Sequence, residues 1–203
     1  MLKIAAFVSG RGSNLKSVCE KVSKEKITIC AIVSDRKECL AVNFAFQNNI
    51  PVFFVSSKEK EGFINFSELT AKLRECSTDL ILLAGFLKKI PDEFVDAFEN
   101  KIINIHPALL PLFGGKGMYG INVHQAVFDS SAKVSGATVH FVDKIYDNGK
   151  IIAQRTVDIS NVKDAEEIAS RVLQVEHELL PFVVEKFADG KIIIDNNRVV
   201  ILD

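Results

Sequence analysis

The chain predicts an α/β fold with a mostly parallel, twisted central sheet and helices on both faces, parallel in its first half and mixed in its second. Three observations predict it. From residue 2 to residue 100, short apolar runs alternate with helical patterns at close spacing, as successive parallel strands joined by crossovers require. Beyond residue 100 the rhythm changes to two longer alternating runs, one long helical stretch and a closing hairpin. A length of 203 residues with 48% hydrophobic and 25% charged content suits one soluble globular chain with an ample core.

In chain order, residues 2–8 read as a buried strand, followed by the turn Ser9 to Asn14 and a helix over 15–22. Residues 27–33 form a second strand, 41–47 a helix, 51–55 a third strand, 66–76 a helix and 79–84 a fourth strand. Residues 102–105 make a short apolar strand that Pro107 must stop, because proline has no N–H for the ladder. Residues 113–120 hold four glycines in eight positions and read as a loop. A helix follows over 123–128, then strands over 133–142 and 150–157 joined by the 143–149 loop. Residues 165–188 predict a long helix with Asp164 as N-cap and Gly190 as its stop, and 191–202 a hairpin turning at Asn196-Asn197. No repeat, low-complexity tract or linker interrupts the chain, so residues 1–203 are expected to form one domain.

A formal net charge of −1 offers no electrostatic case for nucleic acid or an anionic membrane. No apolar run approaches the ~20 residues of a membrane span. The N-terminus reads as a first strand and not as a signal peptide. Cys19, Cys30, Cys39 and Cys76 lack Cys-x-x-Cys spacing, so free thiols and a cytoplasmic setting are expected, without structural zinc. Four histidines at scattered positions argue against a metal site.

Asn104 and His106 lie two apart on the central strand and share a face. An amide can donate to a developing oxyanion, and an imidazole can hold a proton near neutral pH. The same histidine could equally be bonded to a neighbouring carbonyl. Asp147, in a turn-prone loop, either shapes that turn or orients His106 and raises its pKa. Gly10-Arg11-Gly12-Ser13-Asn14 sits between first strand and first helix, where open sheets place ligands. It lacks the third glycine of a dinucleotide fingerprint and the Gly-Lys-Ser/Thr of a Walker loop. A monophosphate on the helix-start N–H groups fits, as does a tight turn with Ser13 as N-cap. His140 reads as a structural, hydrogen-bonding histidine, and His124, beside the glycine-rich loop, as the better candidate to touch a ligand.

Together, Ser9 to Asn14, Leu83 to Lys88, Asn104 to Pro111, Thr138 to Val142, Asp147 to Gly149 and Glu176-His177 resemble the folate-dependent formyltransferases in order and approximate spacing. Within that family they are most similar to the branch that formylates the amine of glycinamide ribonucleotide in purine biosynthesis, with 10-formyltetrahydrofolate as co-substrate. The resemblance covers almost the whole chain. It implies a three-layer formyltransferase fold with a Rossmann-like N-terminal half, residues 1–100 binding the ribonucleotide and residues 101–203 carrying catalysis and folate. It implies Asn104, His106 and Asp147 as the catalytic group. Gly12, Ser13, Asn14 and Glu176 would hold the ribonucleotide, and Leu87, Lys88, Ile90, Asp143 and Asp147 the folate. No metal is implied, and a homodimer is an assembly the family uses, although no sequence patch demands it here.

Three features depart from the family pattern: Leu173 stands where a polar or basic side chain usually faces the phosphate, Ala108 replaces a serine, and Asn122 sits where some members carry histidine in a slightly longer loop. Family members acting on tRNA are expected to add a C-terminal RNA-binding domain and a basic surface. Those that hydrolyse the folate carry an N-terminal regulatory domain, whereas here a strand begins at Leu2. A sugar-nucleotide formyltransferase, or a non-catalytic folate- or nucleotide-binding module on the same fold, are the remaining alternatives.

Overall fold

The computed structural model describes residues 1–203. Its backbone has fifteen elements: β1 (Leu2–Val8), α1 (Ser13–Lys21), β2 (Ile27–Ser34), α2 (Leu40–Gln47), β3 (Val52–Phe54), α3 (Phe66–Glu75), β4 (Leu80–Leu83), α4 (Asp92–Ala97), β5 (Ile102–His106), α5 (Ile121–Asp129), β6 (Val134–Phe141), β7 (Ile151–Asp158), α6 (Ala165–Ala188), β8 (Ile192–Asp195) and β9 (Arg198–Ile201). Seven strands form one sheet in the order β3-β2-β1-β4-β5-β6-β7, and β8 pairs with β9 separately. The chain divides into two compact units, Met1–Ile103 and Asn104–Asp203. No helix is long and apolar enough to cross a membrane.

In the first unit β1 pairs in parallel with both β2 and β4, and β2 with β3. Strands buried on both faces need unbroken apolar runs, and Ile4, Ala5, Ala6, Phe7 and Val8 are all fully buried. Phe94 packs edge-on to Phe7 and Phe66, each such side chain contributing about 1.5–3 kcal/mol by burial. α1 begins two residues before the periodicity predicts. Its N-cap is Gly12, at φ 71°, and Ser13 is already helical, which corrects the reading of Ser13 as the cap. Only glycine suits that position: the φ is left-handed, and a Cβ would lie 2.7 Å from the Ala41 Cβ. α4, six residues long, is absent from the sequence reading. Its mark was Pro91 followed by Asp92 and Glu93, a proline and acidic first turn opening a helix too short to show periodicity.

In the second unit β6 and β7 run antiparallel, and α6 packs on both and on α5. α6 has the expected bounds. The Asp164 carboxylate accepts from the Glu167 N–H, a cap contributing about 1 kcal/mol, and Gly190 follows the last turn at φ 68°. Ile168, Val172, Leu179, Leu180, Val183 and Val184 form its buried stripe. The β8–β9 hairpin turns at Asn196, whose φ of 51° is one that asparagine tolerates.

Candidate active site

β5 ends where the sequence requires, at His106 before Pro107, and its last turn of strand brings Asn104 and His106 to one side. The His106 side chain is buried, and its Nε2 lies 2.9 Å from the Phe113 carbonyl oxygen. A carbonyl only accepts, so Nε2 carries the hydrogen and the neutral ring keeps its lone pair on Nδ1. That Nδ1 is 3.8 Å from Asp147 Oδ2, an ion-pair distance once the ring is protonated. The structure thus brings together the His106 and Asp147 that the sequence paired. Asp147 sits at φ 54° in the β6–β7 loop, and its Oδ2 also accepts from the Gly115 N–H at 2.8 Å.

The sequence reading missed His140 as a member of this cluster. A register shift between Val139 and His140 breaks the period-two alternation of β6. His140 Nδ1 donates to the Phe141 carbonyl at 2.7 Å, which leaves Nε2 to accept from Asn104 Nδ2 at 3.1 Å. Burial lowers the His140 pKa, with the neighbouring His106 adding to the effect, so the ring stays neutral and keeps that lone pair. Asn104 is thereby oriented with one amide hydrogen committed and the other available. His140 Nε2 is also 3.7 Å from Asp147 Oδ1. The expectation of a structural, hydrogen-bonding His140 holds, and its partner is the strand-end amide itself.

His124 is the histidine expected to touch a ligand. It is buried in α5 with no hydrogen-bond partner for Nδ1, and burial together with the charge of His106 pushes its pKa down to about 4. Histidines scattered in sequence therefore converge in space. Because the folded-state pKa lies below the ordinary value of 6.5, the unfolded chain binds the extra proton between these values. Stability from a neutral His124 is complete above pH 6.5 and is lost as pH falls toward 4, a loss of ~1–2 kcal/mol by pH 5. Urea midpoints at pH 7 and pH 5 are expected to show this, with a smaller difference in His124→Leu. An unchanged difference in the variant would refute the assignment.

The other predicted residues fall in two places. In the first unit, Gly12, Ser13 and Asn14 open α1, where N–H groups of the first turn have no helical partner. The Leu87 N–H donates to Ser9 Oγ at 3.0 Å, which fixes the segment after β4, and the side chains of Leu87 and Lys88 are exposed. Ile90 is buried, so only its backbone and its packing are available to a ligand. In the second unit, Glu176 is buried on α6 and Leu173 is half-buried one turn earlier. Asp143 accepts from the Ile145 N–H and from Asn148 Nδ2, shaping the loop that carries Asp147. Ala108 is fully buried, and Asn122 donates to the Gly117 carbonyl.

The fifth strand of the sheet thus ends in an amide and an imidazole, with a loop carboxylate beside them. Residues 2–184 match the family described as formyl transferase, and the chain belongs to that family. It is 45% identical over 194 residues to a chloroplastic phosphoribosylglycinamide formyltransferase of Vigna unguiculata, covering 94% of this chain and 62% of that one. It is 35% identical over 189 residues to the phosphoribosylglycinamide formyltransferase of Bacillus subtilis (strain 168), covering 92% and 94%. The crystal structure of phosphoribosylglycinamide formyltransferase from Anaplasma phagocytophilum superposes with a TM-score of 0.88 at 34% identity, over 100% of this chain and 94% of that one. The chain spans 62–66% of the length of three plant relatives that it matches.

Proposed function

We propose that the chain transfers the formyl group of 10-formyltetrahydrofolate to the amine of glycinamide ribonucleotide, a step of purine biosynthesis. The observation that carries this reading is the convergence of Asn104, His106 and Asp147 in one half-buried polar cluster. The names of the bacterial and plant relatives support formyl transfer to this acceptor.

The acceptor amine attacks the formyl carbon, a carbon–nitrogen bond forms, and the carbonyl electron pair moves onto oxygen. The free Asn104 amide hydrogen and a protonated His106 Nδ1 donate to that oxyanion, with each such donor typically supplying 10²–10³-fold in rate. Asp147 Oδ2, 3.8 Å from His106 Nδ1, would pair with the ring in its protonated form. The proton of the attacking amine passes to the folate nitrogen as the bond from that nitrogen to the formyl carbon breaks. Gly12, Ser13 and Asn14 would hold the ribonucleotide phosphate on helix-start N–H groups, with Glu176 on the same substrate. Leu87, Lys88, Ile90 and Asp143 would hold the folate. All four cysteines are free, which suits a reducing compartment such as the cytoplasm.

A spectroscopic assay of 10-formyltetrahydrofolate turnover, run with and without glycinamide ribonucleotide, tests the proposal. Turnover that requires the ribonucleotide is expected. Turnover in its absence would indicate folate hydrolysis, and no turnover with folate still bound would direct attention to amino-sugar acceptors. Either result overturns the assignment.

A further inference from the structure

We propose that Thr138 and Gln154 are positioning residues that lock His106 into one tautomer by holding the backbone that follows it. The two stand opposite each other in the β6–β7 register. Thr138 is fully buried, and its hydroxyl makes three hydrogen bonds. It donates to the Ala108 carbonyl at 2.7 Å, accepts from the Leu110 N–H at 3.1 Å and accepts from Gln154 Nε2 at 2.9 Å. Gln154 Nε2 also donates to the Leu110 carbonyl at 2.9 Å. A hydroxyl has one hydrogen and two lone pairs, and an amide nitrogen has two hydrogens, so both groups are fully used.

The result is a closed polar network that grips three backbone groups of residues 108–110: the Ala108 carbonyl, the Leu110 N–H and the Leu110 carbonyl. Ala108 and Leu110 are buried, so these groups have no water to turn to if the grip is lost. The gripped segment lies between His106 and Phe113, and the Phe113 carbonyl is what fixes the hydrogen on His106 Nε2. Displacing residues 108–110 moves that carbonyl. The neutral ring can then carry its hydrogen on Nδ1, and the protonated ring loses the acceptor that holds Nε2 and aims Nδ1 at the formyl oxygen. Neither residue touches the reacting groups; Thr138 opens one of the motifs singled out in the sequence, and Gln154 lies outside all of them. The catalytic consequence rests on the reading of His106 given above; the tautomer itself does not.

The test uses the full chain with ¹⁵N-labelled histidine. Imidazole nitrogen shifts, recorded where His106 is neutral, separate a protonated nitrogen from a lone-pair one, and turnover is measured alongside. The wild type is expected to show Nε2–H alone. Thr138→Val is expected to show mixed tautomers, a kcat about 10²-fold lower and a shifted pH–rate profile, with KM for the ribonucleotide little changed. Thr138→Ser is expected to restore all of these. If Thr138→Val gives no cooperative melt, Gln154→Met, which leaves both hydroxyl bonds to residues 108–110 in place, is read the same way. A folded variant that keeps Nε2–H alone and a kcat within about threefold of wild type overturns the proposal. A wild type that transfers no formyl group would sink the functional reading, and the tautomer spectra would still decide the role of Thr138.

Discussion

The His106→Ala variant is expected to lose about 10²–10³-fold in kcat with little change in KM for the ribonucleotide. In the proposed reaction the imidazole supplies a donor that the formyl oxygen uses only as it gains charge, so its removal acts on the transition state more than on substrate binding. Two structural effects accompany the loss. The substitution empties a buried site and leaves the Phe113 carbonyl without its donor, at a cost of ~1–3 kcal/mol in stability. The kinetic measurement therefore belongs beside a thermal melt, below whose onset the variant should be folded. A folded variant with less than about tenfold loss would remove His106 from the chemistry and favour a binding module.

Gly149→Ala is expected to cost on the order of 2–4 kcal/mol in stability and about 10²-fold in kcat. A Cβ at residue 149 would overlap the Phe141 carbonyl oxygen and lie 2.7 Å from its carbon, so one stem of the 143–149 loop would have to leave the other. Asp147 rides on that loop at a left-handed φ, and its 3.8 Å and 3.7 Å separations from His106 and His140 depend on the stems staying together. Denaturant unfolding reads the first effect and steady-state turnover the second. A variant within about 0.5 kcal/mol of wild type would mean that the loop yields without strain. Gly136 is a second such position, where a Cβ would strike the Arg155 carbonyl on the paired strand.

Much of this was legible in the sequence where side-chain chemistry alone sets the outcome. The long apolar stripe and the Asp164 cap define α6 to the residue. Period-two spacing places Asn104 beside His106, and Pro107 ends their strand. What escaped was governed by backbone. The Phe113 carbonyl and the Gly115 N–H complete the site, but every residue has such groups, so no residue type announces them. His140 escaped because a register shift cannot be read from alternation. α4 was too short for any periodic signal.

The strand pairings also carry a consequence for how the chain acquires its fold. Thr138 and Gln154 pair across 16 residues, whereas Lys3 and Asp79, bonded beside the β1–β4 pairing, are 76 residues apart. Closing the longer loop costs about 1 kcal/mol more in chain entropy, and such non-local pairings form late. During synthesis β1 is made before β4, and its β4-facing edge stays open until residues 80–83 have left the ribosome. For that interval one of the most apolar strands of the molecule is a bare template for other chains, and the yield of folded protein should depend on chaperone supply more than the finished structure's buried core would imply.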